Sequence, residues 1–120
     1  MQITRIFHSG FLVETARRYF IFDYYKGELP KLNPDKPVYV FASHGHQDHY
    51  EPKVFELLKQ QGIVPKLAIL AKDIKEKKYP DGIPVLKAGF NAHYEIEADF
   101  LVDTFHSTDA GVAYLVTCGE

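Results

Sequence analysis

Val38-Tyr39-Val40-Phe41-Ala42-Ser43-His44-Gly45-His46-Gln47-Asp48-His49 is the stretch that decides how this chain is read. Its first five residues form an unbroken apolar run behind Pro37. That pattern suits a strand buried on both faces. The rest carries three of the chain's six histidines and a carboxylate within six positions. Neutral imidazole and carboxylate are the donors that zinc, iron and manganese accept. His44 and His46 are two positions apart, so in an extended segment they point the same way and can grip one ion. Gly45 removes a side chain between them and lets the backbone turn. Asp48 and His49 point away from that pair if the chain turns into a helix, and can then address a second ion. A competing reading makes Asp48 an N-cap with Glu51 as its capping-box partner. That reading leaves the three histidines unexplained.

Outward from this stretch the pattern alternates between short strands and turns. Pro52 to Gln61 places Val54, Leu57 and Leu58 at helical spacing, with Gly62 where a helix should stop. Upstream, Gln2 to His8 reads as a strand, punctuated by Ser9-Gly10. Phe11–Glu14 and Arg18–Phe22 follow, with Thr15-Ala16-Arg17 as a hairpin turn. Lys26 to Lys36 holds two prolines, a glycine and an asparagine, and reads as a loop. Downstream, Leu67–Ala71 is again a buried type of strand. Lys72 to Lys78 is a charged, solvated segment, helical or irregular. Val85–Ala88, Tyr94–Glu97, Phe100–Phe105 and Val112–Cys118 are strands, with turns at Pro80-Asp81-Gly82 and Asn91-Ala92. Many strands with one or two outer helices predict a layered α/β (α+β) fold, a single domain over residues 1–120.

Composition narrows the partners. With 46% hydrophobic and 14% aromatic residues the chain is globular rather than disordered. A net charge of -2 and a pI near 6.3 give no electrostatic case for nucleic acid or an anionic membrane. Cys118 is the single cysteine, so a disulfide scaffold is excluded, and it has no histidine or acid beside it in sequence to make it a nucleophile. No apolar run spans a bilayer, and the opening MQITRIFHSG is not a secretory signal, so the expected compartment is the cytoplasm.

Ser43-His44-Gly45-His46-Gln47-Asp48-His49 resembles the H-x-H-x-D-H signature of the metallo-β-lactamase fold superfamily. Phe7-His8-Ser9-Gly10-Phe11-Leu12-Val13-Glu14 resembles the opening strands of its ascorbate-lactone hydrolase-like branch. Tyr19-Phe20-Ile21-Phe22-Asp23 looks like the strand whose terminal acid supports the site from behind. Phe105-His106-Ser107-Thr108-Asp109-Ala110-Gly111 looks like the second motif. The resemblance implies His44, His46 and His106 as ligands of one ion and Asp48 and His49 as ligands of another, with Asp48 also the catalytic, water-orienting carboxylate. Zinc is the expected metal, one ion or two, with manganese or iron as alternatives. Asp23 is expected to orient a ligating histidine, or else to be a strand-end turn residue. His8 is a candidate for a substrate contact or a structural hydrogen bond. The implied activity is hydrolysis of a small ester or lactone by metal-activated water. A phosphodiesterase or nuclease, and a non-catalytic metal-binding or interaction module, are the alternatives.

The resemblance covers only the first half of the family fold. Full members continue with a bridging carboxylate and a further histidine, and neither Asp109 nor Glu120 matches the former. The expectation is therefore half of an αββα sandwich: one mixed β-sheet with outer helices. Its inner apolar face, with Phe100 and Val102 or Tyr114 and Val116, should then be left bare. Bare apolar faces of that size are rare on monomers. A dimer or a complementary chain is thus the expected partner, alongside a small-molecule substrate. His93 reads as surface, and Tyr24 and Tyr25 as packing or cleft lining.

Overall fold

The computed structural model describes residues 1–108 and 111–119. The strands β1 (Gln2–Phe7), β2 (Gly10–Glu14), β3 (Tyr19–Phe22), β4 (Val38–Ala42), β5 (Leu67–Ala71) and β6 (Val85–Ala88) pair in that order into a six-stranded sheet. The first two pairings are antiparallel, and β3, β4, β5 and β6 run parallel, so the sheet is mixed. One helix, α1 (Lys53–Gln60), crosses from β4 to β5. The strands β7 (His93–Glu97), β8 (Phe100–His106) and β9 (Val112–Cys118) form a separate antiparallel sheet of three. The fold is α+β and rich in strands, as the sequence predicts. Among the described residues no helix is long and apolar enough to cross a membrane.

β4 explains why its run is apolar throughout. Val38 and Val40 face α1 and pack with Ile21, Val54 and Leu58. Tyr39 and Phe41 face the other way, into a cluster with Phe20, Ile69, Phe100 and Val102. All five β4 residues are buried, because the strand lies between a helix layer and the second sheet. Burying side chains of this size contributes about 1.5–3 kcal/mol each relative to exposure.

This second sheet corrects one expectation. Phe100 and Val102 are fully buried rather than bare. The Phe100 ring meets Tyr39 at 4.8 Å and Phe20 at 5.2 Å between centroids. Tyr114 meets Phe41 at 5.3 Å and donates its hydroxyl to Ala42 O at 2.9 Å. The described residues form two sheets, not one, and β7, β8 and β9 cover the face expected to be bare. Among the described residues there is one α-helix, within the one or two expected.

The start of α1 corrects another. Asp48 does not cap the helix, which begins at Lys53 after Pro52. Proline disfavours helical backbone in the residue before it, so the helix cannot start earlier. The Glu51 carboxylate instead accepts the Lys53 N–H at 3.1 Å. The far end is as predicted: Gly62 has φ +75° and donates to Lys59 O, which a side chain at that position would strain.

Candidate metal centre

Because β3, β4 and β5 are parallel, the segments leaving them emerge on one edge of the sheet. Asp23 follows β3, Ser43 to His49 follow β4, and Asp73 comes two residues after β5. β2 runs the other way, so Ser9, just before it, joins the same edge. The crevice beyond the carboxyl ends of parallel strands is where open α/β sheets bind ligands.

Four sequence-predicted residues meet here. The His44 and His46 rings stand 4.0 Å apart between centroids, and the His44 and His49 rings 5.9 Å. Asp48 Oδ2 lies 3.6 Å from His49 Nε2. Two donors on one tetrahedral zinc with bonds near 2.0 Å stand about 3.3 Å apart, so the Asp48–His49 spacing is close to that of a shared ion. Both ring nitrogens of His44 are buried without a hydrogen-bond partner. Buried polar atoms are rarely left so, and a metal ligand is the chemistry that would satisfy one of them. The donor set therefore fits a borderline metal ion such as zinc. Among the described residues no three such side chains are already drawn together tightly enough to hold an ion, so loading requires side-chain rotation.

Asp23 contacts both Ser43 and His49. It sits at φ +51°, a left-handed conformation that aspartate tolerates better than most residues. Its Oδ1 accepts the Ser43 N–H at 2.7 Å and its Oδ2 accepts the Ser43 hydroxyl at 2.5 Å. The same Oδ2 lies 3.2 Å from His49 Nδ1. Burial, the largest influence, holds the Asp23 carboxyl above its ordinary range, while the contacts to Ser43 and His49 pull it down. Ser9 adds a second restraint, donating to Asp48 O at 3.1 Å with its Oγ 3.5 Å from His49 Nδ1. With Nδ1 engaged by Asp23 and Ser9, His49 turns Nε2 toward Asp48.

His106 ends β8, and its register partner Val112 donates to Ser43 O at 2.7 Å, so its backbone runs beside the histidine segment. Its ring, however, stacks on Phe90 at 4.2 Å. Asp109, Ala110 and Glu120 lie outside the described residues. His8 has φ +55° and its exposed ring contacts Phe7 and Tyr25 at the rim. Tyr24 is buried and donates to Gly27 O at 2.7 Å, which is packing. His93 is half exposed and paired with Asp103 at 2.6 Å.

One residue of the centre escaped the sequence reading. Asp73 Oδ2 accepts the Gly45 N–H at 2.9 Å and lies 2.8 Å from His44 Nδ1. The latter is an ion-pair distance, so Nδ1 has a charged neighbour, whereas the buried Nε2 has no hydrogen-bond partner. A Cβ on Gly45 would stand 3.0 Å from Asp73 Oδ2 and 3.3 Å from its Cγ. Gly45 is thus the residue that makes room for this carboxylate. Nothing in Lys72-Asp73-Ile74-Lys75-Glu76-Lys77-Lys78 distinguishes Asp73 from a solvated charge.

A cavity of about 260 Å³ opens beside the centre, lined by Gly45, His46, Asp73, Ile74 and three lysines, 75, 77 and 78. A larger hollow, about 520 Å³, lies at the other edge of the sheet among Arg17, Arg18, Lys36, Lys66 and Glu97, far from the histidines in the topology. Its volume is not evidence of chemistry, since its charges are engaged with one another and with Glu14 and Asp99. In comparisons with known protein families and with curated proteins, the sequence matches none.

Proposed function

We propose that the chain is a metal-dependent hydrolase of the metallo-β-lactamase type, acting on a small ester or lactone. The observation that supports this most is the His44–His46–Asp48–His49 cluster at the carboxyl edge of the parallel strands, with His44 Nε2 buried and without a hydrogen-bond partner. His44, His46 and His106 would hold one ion, and Asp48 and His49 a second. A bound zinc would act there as a Lewis acid and would lower the pKa of a coordinated water to near neutrality. His106 joins only if its ring leaves Phe90. Asp48 is half exposed at its carboxylate, so it can reach a water in the crevice, orient it and accept its proton. Asp23 and Ser9 fix the His49 ring, so the neighbouring Asp48 works from a held segment rather than a loose loop. The cavity beside His46 admits a substrate of small size.

A phosphodiesterase is the second reading, favoured by Lys75, Lys77 and Lys78 around the same cavity. The zinc-loaded protein assayed against a neutral aryl ester, a lactone and an aryl phosphodiester separates the two. Asp48→Asn should lower turnover of the preferred substrate about 10²–10⁴-fold. Equal turnover by the metal-free protein would refute the metal-dependent mechanism, equal turnover by Asp48→Asn would refute the role given to Asp48, and zinc uptake without turnover of any of the three substrates would leave a metal-binding module.

A further inference from the structure

We infer that Asp73 is the positioning residue of His44, setting which imidazole nitrogen is offered to the metal. This rests on the reading of His44 as a ligand. A carboxylate oxygen 2.8 Å from Nδ1 confronts that nitrogen with a lone pair. Two acceptors at that distance repel, and a proton on Nδ1 turns the contact attractive. The lone pair of the neutral ring then belongs to Nε2, which is buried and has no partner. A carboxylate behind a ligating imidazole also raises its basicity as a ligand.

The carboxylate is itself held in place. Its Oδ2 is fastened to the Gly45 N–H at 2.9 Å, the backbone between the two histidines of the pair. Ile74 N donates to Ala71 O at 3.0 Å and Lys72 N to Ala88 O at 3.0 Å, which anchors the turn carrying Asp73 to β5 and β6. The absence of a side chain on Gly45 leaves the approach open. A single oxygen thus aligns both the His44 ring and the peptide that links it to His46. The role differs from that of Asp23, which engages Nδ1 of His49 from the opposite side of the histidine segment.

The test separates this role from simple support of the loop. Asp73→Asn keeps an oxygen for the Gly45 N–H but removes the charge facing Nδ1. Zinc affinity is measured by competition with a chromogenic chelator on wild type and variant, with folding of each checked by amide NMR. The expected result is a 10–100-fold weaker zinc affinity in a folded Asp73→Asn. Long-range proton–nitrogen NMR of the zinc-loaded wild type should show His44 protonated on Nδ1 and ligating through Nε2. Affinity of Asp73→Asn within twofold of wild type, or ligation through Nδ1, would overturn the inference while leaving the metal centre intact. A wild type that takes up no zinc would instead remove the metal reading, and this inference with it.

Discussion

Both edges of the parallel strands carry ionisable side chains, and they treat them in opposite ways. At the amino edge Arg18 is 2% exposed, and its guanidinium donates to Glu97 at 2.8 Å and to Asp99 at 2.6 Å. Lys66 and the Tyr39 hydroxyl complete the shell of Glu97 at 2.7 and 3.0 Å. These ionic groups satisfy one another, which is what stability requires of buried charge. At the carboxyl edge, His44 and Asp73 retain buried atoms without partners. Unsatisfied groups there cost stability, and a structure tolerates such a cost where a ligand is to be met. The larger hollow therefore lies at the edge whose charges satisfy one another, and the smaller at the edge where the metal site is proposed.

Breaking the amino edge should have the largest effect on stability. Arg18→Met leaves Glu97 part-buried and short of one cation, and should cost about 2–4 kcal/mol. Urea unfolding should show the midpoint fall, while zinc uptake is unchanged. A variant as stable as wild type would show that this network is not what holds the two sheets together at that edge.

Next comes pH. The Lys66 ammonium first, and then the Arg18 guanidinium, hold the Glu97 carboxyl down at about 2, from its ordinary 4.5. A carboxyl depressed on folding contributes stability that is whole above its unfolded pKa and is lost as pH falls through the folded one. With its side chain 27% exposed, the contribution is about 1–2 kcal/mol after solvent screening. Between pH 4.5 and 2, wild type should therefore lose more stability than Glu97→Gln. Parallel curves for the two proteins would contradict the assignment.

At the carboxyl edge the effect on stability is smallest, and the effect on metal largest. Gly45→Ala drives a methyl toward Asp73 Oδ2 and should cost about 1 kcal/mol of stability as the carboxylate shifts. Zinc affinity should drop along with it, as in Asp73→Asn. An alanine variant with wild-type zinc affinity would separate Gly45 from the centre.

The difference between the edges also explains what the sequence could and could not disclose. β4 was legible because both its faces are covered, leaving an unbroken apolar run, and α1 because Gly62 ends it in a left-handed residue. The histidine cluster was legible because its donors are consecutive. The second sheet was not, since whether Phe100 and Val102 meet solvent or the rings of Phe20 and Tyr39 depends on contacts across some 60–80 residues. Arg18 read as the start of a strand, and its burial is decided by partners 79 and 81 positions away. Asp73 is 28 positions from Gly45 and lies in a run of lysines. The capping-box reading of Asp48 failed because Pro52 sets where the helix can begin. Asp48 is thereby left outside α1 and beside His49.

On the proposed reading, the carboxyl edge holds a metal through the His44–His46 pair. Elemental analysis of purified protein, incubated with zinc and dialysed, tests it most directly when wild type and His46→Ala are compared. Wild type should retain about one zinc or more per chain, and a folded His46→Ala should retain none. Stoichiometric zinc in His46→Ala, or none in wild type, would contradict the account.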